Sequence, residues 1–288
     1  MFESRWSARL DWVRSIRRSR LTCGLGGLLC ASLAFAFGTT HVRADPARIY
    51  AAGSLVAPIK ELIAASGLPP TSFDTPVFGP AGLLGQRLEA GEKADLFASA
   101  DLAQPQRLVD KGSGLPVVPF ARNTLCVMAK PSLALTAETL LEKLLDPATR
   151  LATSTAGADP GGDYALAVFD RAEAIRPGAG KILRDKALTL LGSPGAMVPV
   201  AGRSPGASVF LGDHADALLY YCSSSPATVK EVPGLVSVPL PSTLEVHPVY
   251  GLTVIGTNPD AMRLALFALS KDGQTILVRH GLLPIAGP

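Results

Sequence analysis

The regular alternation of short apolar strands with amphipathic helices constrains this chain more than any other feature of its sequence. "RIYAAGS" (48–54) is typical of a strand, and "LVAPIKELIAAS" (55–66) of a helix with one apolar stripe. The segments "TPVFG", "LLGQRLEAG" and "ADLFASAD" repeat the order strand, helix, strand within residues 75–101. Strands joined through helices run parallel, so the pattern predicts an α/β fold with a parallel sheet covered on both faces.

The second half of the chain continues the alternation. "NTLCVMAKP" (123–131) and "DALLYYCSSS" (216–225) predict strands, and "AETLLEKLLDP" (137–147) predicts a helix. "AGKILRDKALTLLG" (179–192) predicts a further helix, and residues 259–281 predict one long helix or two short ones. A chain of 288 residues is long enough for two such units.

The first 44 residues have the pattern of an export signal. Arginines between positions 14 and 20 precede an apolar run, Leu21–Gly38, and small residues then offer a cleavage site after Ala44. A retained anchor remains an alternative, because the run is at the lower edge of a membrane span. Arg17-Arg18 also leaves twin-arginine export open. The sequence therefore predicts a periplasmic or extracytoplasmic protein.

The formal charge of the whole sequence differs in sign from that of the chain without its predicted export segment. The whole sequence has a formal charge of +3, but residues 1–44 hold seven Lys/Arg and two Asp/Glu. The rest has 20 basic against 22 acidic side chains. A slightly acidic chain lacks the basic face of nucleic-acid-binding proteins, and it lacks the polybasic patch that holds proteins at membrane surfaces.

Two cysteines, Cys126 and Cys222, lie outside the export segment. They are 96 positions apart and form neither a CxxC pair nor a metal-binding spacing. An oxidising compartment permits a disulfide between them. Each cysteine also lies in an apolar run, where a buried free thiol is the simpler interpretation, and the sequence favours that one.

Three predicted strands end in small residues that lead into helices: at Ser54, at residues 79–82 and at residues 153–162. In open α/β sheets, ligands bind at the carboxyl ends of strands. Helix N-termini there present free N–H groups and a positive dipole end, which hold anions without Lys or Arg. Ala81 and Gly82 could each direct a backbone donor at an anion. One such turn alone is ordinary, but three favour an anion site.

A catalytic alternative lies in "GRSPG" (202–206), which matches the nucleophile elbow of serine hydrolases, with Asp213 and His247 following in the right order. However, Pro205 follows Ser204 and has no N–H to offer an oxyanion hole. The chain has no HExxH motif and no P-loop. A hydrolase is therefore a remote alternative. We expect a protein that is not an enzyme, that has no cofactor and that binds no metal ion directly through its side chains.

Five segments together carry a resemblance to a known family: "YAAGSL" (50–55), "GPAGLLGQRLEAGEKADLFASAD" (79–101), "FARNTLCVMAK" (120–130), "LATSTAGADPGGDYA" (151–165) and "LLYYCSS" (218–224). In order and spacing, the chain resembles the molybdate-binding subfamily of periplasmic solute-binding proteins, the receptors of ABC importers. The resemblance covers nearly all of residues 48–288.

The resemblance implies a bilobal periplasmic-binding-protein fold, type II-like, with two parallel or mixed-sheet α/β lobes joined by hinge strands. Residues 45–122 plus 247–288 would form lobe one, and residues 123–246 lobe two. Molybdate or tungstate would bind in the cleft, and a monomer would deliver it to an ABC permease in the inner membrane. The implied neutral donors are the Ser54 hydroxyl and N–H, the N–H of Ala81 or Gly82, the N–H of Gly161 or Gly162, and the Tyr221 hydroxyl.

The sequence departs from the family pattern at two places. The second turn, 80–82, offers only backbone donors where the family often has serines, and Gly161-Gly162 is looser than the usual turn. Arg203 lies near the fourth contact, where a guanidinium would add charge and bidentate geometry. These departures leave open a receptor for another oxyanion or a small carboxylate anchored by Arg203.

Overall fold

Two five-stranded mixed sheets form the core of the computed structural model, which describes residues 45–197 and 199–285. The strands are β1 (Ile49–Ala52), β2 (Val77–Gly79), β3 (Leu96–Ser99), β4 (Val118–Arg122), β5 (Leu125–Ala129), β6 (Leu151–Ser154), β7 (Leu188–Leu191), β8 (Ala217–Tyr221), β9 (Val236–Pro239) and β10 (Val249–Val254). The helices are α1 (Val56–Ala65), α2 (Ala81–Glu89), α3 (Ala103–Asp110), α4 (Leu140–Leu145), α5 (Pro160–Ile175), α6 (Ala179–Lys186), α7 (Pro205–Leu211), α8 (Ser225–Glu231), α9 (Pro259–Leu269) and α10 (Lys271–Arg279).

The first sheet has the strand order β2-β1-β3-β10-β4, and the second has the order β7-β6-β8-β5-β9. We call each sheet with its helices a lobe, the first lobe and the second lobe. Strands β1, β3, β5 and β6 are buried along their whole length, which explains why they are apolar runs without alternation.

The sheets are mixed because the chain crosses twice between the lobes. It passes from β4 to β5 through residues 123–124 and from β9 to β10 through residues 240–248. The strands entered by these crossings, β5 and β10, run antiparallel to both of their neighbours, whereas β1 and β6 run parallel to both of theirs. The α/β fold with two mixed-sheet lobes is confirmed, and the purely parallel sheet predicted from alternation alone is wrong.

One helix prediction differs from the structure, and the structure decides between the two alternatives for the end of the chain. Residues 179–192 were predicted as one helix, but α6 ends at Lys186 and β7 then pairs parallel with β6. A four-residue apolar edge strand cannot be distinguished from one helical turn by periodicity, and pairing with β6 decides it. The long segment at the chain end forms two helices, which break at Ser270, whose hydroxyl accepts the N–H of Gly273 at 3.1 Å.

The predicted export segment, residues 1–44, lies outside the described residues. Within the described ranges, every helix is too short or too polar to cross a bilayer.

Cys126 and Cys222 form a disulfide, with their Cα atoms 4.9 Å apart, so the prediction of free thiols is wrong. The antiparallel pairing of β5 with β8 places Leu125 opposite Tyr221. The N–H of Cys222 also donates to the carbonyl of Thr124 at 2.9 Å. This register brings the two sulfur atoms together, and a spacing of 96 positions gives no sign of it in the sequence.

Replacing both cysteines by alanine should lower the free energy of unfolding by about 2–4 kcal/mol, because the disulfide restricts a long loop of the unfolded chain. Urea unfolding of oxidised wild type and of C126A/C222A would measure the difference. Wild type unfolded in dithiothreitol should match the double variant. Equal stability of all three samples would show that the cysteines are unpaired in solution.

Candidate functional site

A chain of hydrogen bonds joins the two lobes at the first crossing. The side-chain amide of Asn123, which is 1% exposed, donates through Nδ2 to Ser223 Oγ at 2.8 Å and to Tyr250 OH at 3.0 Å. Tyr250 OH lies 3.0 Å from Ser54 Oγ. Ser54 and Tyr250 belong to the first lobe and Ser223 to the second. The predicted binding serine is therefore linked, through Tyr250, to Asn123 at the first crossing between the lobes.

Two buried hydroxyls at the ends of strands have no hydrogen-bond partner in the described part of the protein: Ser154 Oγ, which ends β6, and Tyr221 OH, which ends β8. They flank Gly161 in the first turn of α5. A Cβ on Gly161 would lie 3.3 Å from Ser154 Oγ and 3.4 Å from Tyr221 Cε2. Buried hydroxyls are nearly always paired, so these two are available to donate to a ligand.

Four tyrosines line the junction of the lobes. The Tyr221 ring contacts those of Tyr220, Tyr250 and Tyr164 edge-on, with centroid distances of 5.1, 5.8 and 6.4 Å. Burial raises the pKa of all four phenols above the usual value. The hydroxyls therefore remain neutral and keep a proton to donate.

The first turn of α2 touches the second lobe. Leu83 donates its N–H to the carbonyl of Ala158 at 3.2 Å, and a Cβ on Gly82 would lie 2.4 Å from the carbonyl oxygen of Gly157. Tyr164 of α5 makes a second contact between the lobes, donating its hydroxyl to the carbonyl of Ala100 at 3.1 Å. The lobes are thus closed on each other. The N–H groups of Ala81 and Gly82, the first two of α2, have no acceptor within the helix.

The turn before α5 is arranged differently from the prediction. The N–H of Gly161 donates to Asp159 Oδ1 at 3.2 Å, and the N–H of Gly162 donates to the carbonyl of Asp159 at 2.8 Å. Both predicted backbone donors thus already have acceptors. Next to this turn, the hydroxyl of Ser154 is buried and has no hydrogen-bond partner in the described part of the chain, and the sequence prediction did not include it. Its one signal is a polar residue at the end of a buried strand, just before the turn.

Asp159 is a buried carboxyl beside this turn. Burial raises the pKa of Asp159 above its usual value, although the N–H of Gly161 and the neighbouring hydroxyl of Ser154 partly oppose the shift. A raised carboxyl pKa means that the folded protein gains stability as the pH falls from neutrality, through the raised pKa, towards the unfolded-state value of about 3.9.

Asp159→Asn should therefore be more stable than wild type at pH 7, because asparagine still accepts from Gly161 but carries no buried charge. Asparagine does not titrate, so the difference should shrink as the pH is lowered. Urea unfolding of both proteins at pH 7 and pH 4.5 would measure it. A difference that is the same at both pH values would contradict the assignment.

Arg203 and Ser54 line one groove of about 650 Å³ between the lobes. His280 of the first lobe and Tyr220 of the second lobe also line it. The structure therefore brings Arg203, whose side chain is exposed, into one groove with Ser54. The other predicted ligand residues, Ala81, Gly82, Gly161, Gly162 and Tyr221, do not line this groove.

The residues of the hydrolase alternative lie in three different surroundings. Ser204 Oγ caps α7 by accepting the N–H of Ala207 at 3.2 Å. The carboxylate of Asp213 pairs with Arg150, and His247 lines a separate cavity. Within the described residues, no group of three His, Cys, Asp or Glu side chains could hold a metal ion.

Comparisons with known proteins agree with this architecture. The family model described as "Bacterial extracellular solute-binding protein" matches residues 47–283. An uncharacterised Pasteurella multocida protein, PM1146, is 37% identical over 210 residues, which is 72% of this chain and 86% of the relative.

Solved structures with low sequence identity share the fold. The periplasmic molybdate-binding protein of Azotobacter vinelandii is 15% identical with a TM-score of 0.65, and the match covers 83% of this chain and 100% of that one. The sulfate-binding protein SubI of Mycobacterium tuberculosis is 17% identical with a TM-score of 0.66, covering 84% and 88%. PEB3 with bound L-phospholactate is 15% identical with a TM-score of 0.62, covering 82% and 99%; Peb3 comes from Campylobacter jejuni. The predicted bilobal fold is confirmed.

Proposed function

The chain belongs to the family of bacterial extracellular solute-binding proteins, and on that premise we propose that it is the receptor for a tetrahedral oxyanion, molybdate or tungstate. Solute-binding proteins of ABC importers bind small ligands and work with a permease in the inner membrane; they are receptors, not enzymes. The oxyanion is the part of this function that the site has to support.

The observation that carries the proposal is the pair of buried hydroxyls, Ser154 Oγ and Tyr221 OH, that have no hydrogen-bond partner among the described residues. With the Ser54 hydroxyl and the first N–H groups of α2, they make a set of neutral donors from both lobes. Neutral donors fixed by the fold can replace the water around a dianion without a basic side chain. In this proposal Gly161 leaves room between the two hydroxyls, and Gly162 forms the turn.

Selection among oxyanions would come from the size of the site. Molybdate and tungstate have the same shape and charge as sulfate but longer bonds to oxygen. A cavity fitted to the longer bonds would leave sulfate with poor hydrogen-bond distances. A similar structure is described as a molybdate-binding protein, but others bind sulfate or L-phospholactate, so the relatives alone do not decide the ligand.

In this proposal lobe one consists of residues 45–122 and 247–288, and lobe two of residues 123–246. The two crossings near residues 123 and 247 would act as the hinge. Closure of the lobes around the anion would be the signal that the permease reads. The working form would be a monomer, exported and cleaved near Ala44.

A thermal-shift titration of residues 45–288 with molybdate, tungstate, sulfate and phosphate tests the proposal. An anion at about 100 times its dissociation constant adds about 2.7 kcal/mol of stability. We expect a shift with molybdate and tungstate and none with sulfate. A shift with sulfate or phosphate instead would reassign the ligand, and no shift with any of the four would reject an inorganic oxyanion.

Arg203 supports a second candidate, a carboxylate or another organic anion. The groove that Arg203 shares with Ser54, about 650 Å³, is far larger than one tetrahedral oxyanion needs. A guanidinium at its edge could hold a carboxylate by two hydrogen bonds. Ser54→Ala should then weaken molybdate binding most, and Arg203→Ala should weaken the binding of a small carboxylate such as lactate most. If Arg203→Ala leaves the affinity for every tested anion unchanged, this candidate is rejected.

A further inference from the structure

The hydrogen-bond chain from Asn123 to Ser54 has a fixed donor direction. Asn123 Oδ1 accepts the N–H of Thr124 at 2.9 Å. Because only the amide oxygen can accept, this bond assigns the positions of Oδ1 and Nδ2 in the side chain. Nδ2 therefore faces Tyr250 OH, 3.0 Å away. An amide nitrogen only donates, so the oxygen of Tyr250 must accept.

The hydroxyl of Tyr250 accepts from Asn123 and therefore donates to Ser54. The phenol has one proton, and its oxygen already accepts from Asn123. The only other hydrogen-bond partner of this hydroxyl in the described part of the chain is Ser54 Oγ, 3.0 Å away. Tyr250 thus donates to Ser54. Ser54 Oγ then accepts within the protein and retains its own proton for a group outside the chain of bonds.

We propose that Asn123 and Tyr250 are positioning residues that hold the Ser54 hydroxyl as a donor toward the cleft, and so favour an anion there over a cation. This inference rests on the proposed function, because it assigns a direction to a ligand contact of that site. Asn123 also donates to Ser223 Oγ at 2.8 Å, so the amide that sets the direction of the Ser54 hydroxyl also contacts the second lobe.

Asn123→Asp would reverse the donor direction of the hydrogen bonds that link position 123, Tyr250 and Ser54, with almost no change in side-chain shape. A carboxylate only accepts, so the proton of Tyr250 would turn toward it, and Tyr250 would accept the proton of Ser54. Ser54 would then present lone pairs to the cleft. Molybdate affinity, measured by calorimetry, should fall at least about tenfold, as for the loss of a hydrogen bond to a charged group.

A second substitution separates this reversal from simple charge repulsion. Tyr250→Phe removes the hydroxyl that links position 123 to Ser54, so Ser54 is free to donate again. The double variant N123D/Y250F should therefore bind molybdate more tightly than N123D. Charge repulsion acts through space and is the same with either side chain at position 250. A double variant that binds as weakly as N123D, or more weakly, would overturn the proposal.

A double-mutant cycle of Tyr250→Phe and Ser54→Ala tests the proposal without using the N123D variant. Tyr250→Phe should weaken molybdate binding several-fold when Ser54 is present and should have no effect in the S54A background. The same loss in both backgrounds would show that Tyr250 does not act through Ser54. Melting of each variant without anion identifies any that is unfolded.

Neutron diffraction from crystals of the deuterated protein, free of anion, tests the direction itself. A Tyr250 deuteron on the line to Ser54 Oγ supports the proposal, and one directed at Asn123 overturns it. This result stands even if wild type binds neither molybdate nor tungstate, an outcome that would reject the proposed function alone.

Discussion

Replacing Gly82 by alanine is expected to weaken anion binding by roughly 10- to 100-fold while both lobes stay folded. The added Cβ would lie 2.4 Å from the carbonyl oxygen of Gly157 and 2.8 Å from that of Ala158. Backbone atoms cannot move aside as a flexible side chain can, so the lobes must separate. Overpacking of this kind costs about 1–3 kcal/mol, and the cost falls on the closed state that holds the ligand.

Gly85→Ala is the matched control for this prediction. Gly85 lies one turn further along α2, where an added Cβ would lie 3.2 Å from Gln104 Oε1 and 3.8 Å from Gln104 Cβ, both side-chain atoms. Both substitutions favour the helix equally, because alanine is the better helix former. Calorimetry with molybdate should show a loss only for G82A, and small-angle scattering should show a more open molecule. If G82A binds like wild type, the contact of α2 with the second lobe is not part of the bound state.

Tyr221→Phe should lower the affinity for the anion without lowering the stability of the protein. The hydroxyl of Tyr221 is buried and has no hydrogen-bond partner within residues 45–197 and 199–285, so its removal should leave the free energy of unfolding unchanged or raise it. The same hydroxyl is a proposed donor to a dianion, and a hydrogen bond to a charged group is worth about 1.5–3 kcal/mol. Affinity for molybdate should therefore fall by roughly 10- to 100-fold.

Tyr250→Phe provides the contrast, since the hydroxyl of Tyr250 is bonded to Ser54 and Asn123. Its removal should lower the stability of the anion-free protein by about 1 kcal/mol, because the amide of Asn123 loses an acceptor. Urea unfolding without anion, followed by calorimetry, measures both quantities for each variant. A Tyr221→Phe protein that is less stable but binds normally would mean that this hydroxyl has a structural partner and no ligand.

Local patterns in the sequence predicted most elements of the fold but not the contacts that complete the site. Buried strands such as β3 and β5 are apolar runs, and the small residues after β1 and β6 predict the edges at which a ligand would bind. The edge strand β7 and the disulfide depend on pairing between distant segments, which a single sequence does not encode locally. The resemblance contributed Tyr221, which its motif identifies.

The polar network was harder to predict for a physical reason. Asn123 and Tyr250 are 127 positions apart and meet only because the chain crosses twice between the lobes. Ser154 is one small polar residue among several near the end of β6, and only its burial with no partner among the described residues distinguishes it. The predicted N–H donors of Gly161 and Gly162 are taken by Asp159, since a helix with an aspartate N-cap satisfies its own first amides.

The disulfide also makes a covalent ring of residues 126–222, and this ring contains most of the second lobe, with Ser154, Tyr164 and Tyr221. A protease that cuts an exposed loop inside the ring opens the backbone but releases no fragment. The cut would be invisible on a non-reducing gel and would appear as two bands only after reduction. In a compartment rich in proteases, a nicked receptor could thus keep both halves of its second lobe in register and continue to capture its ligand.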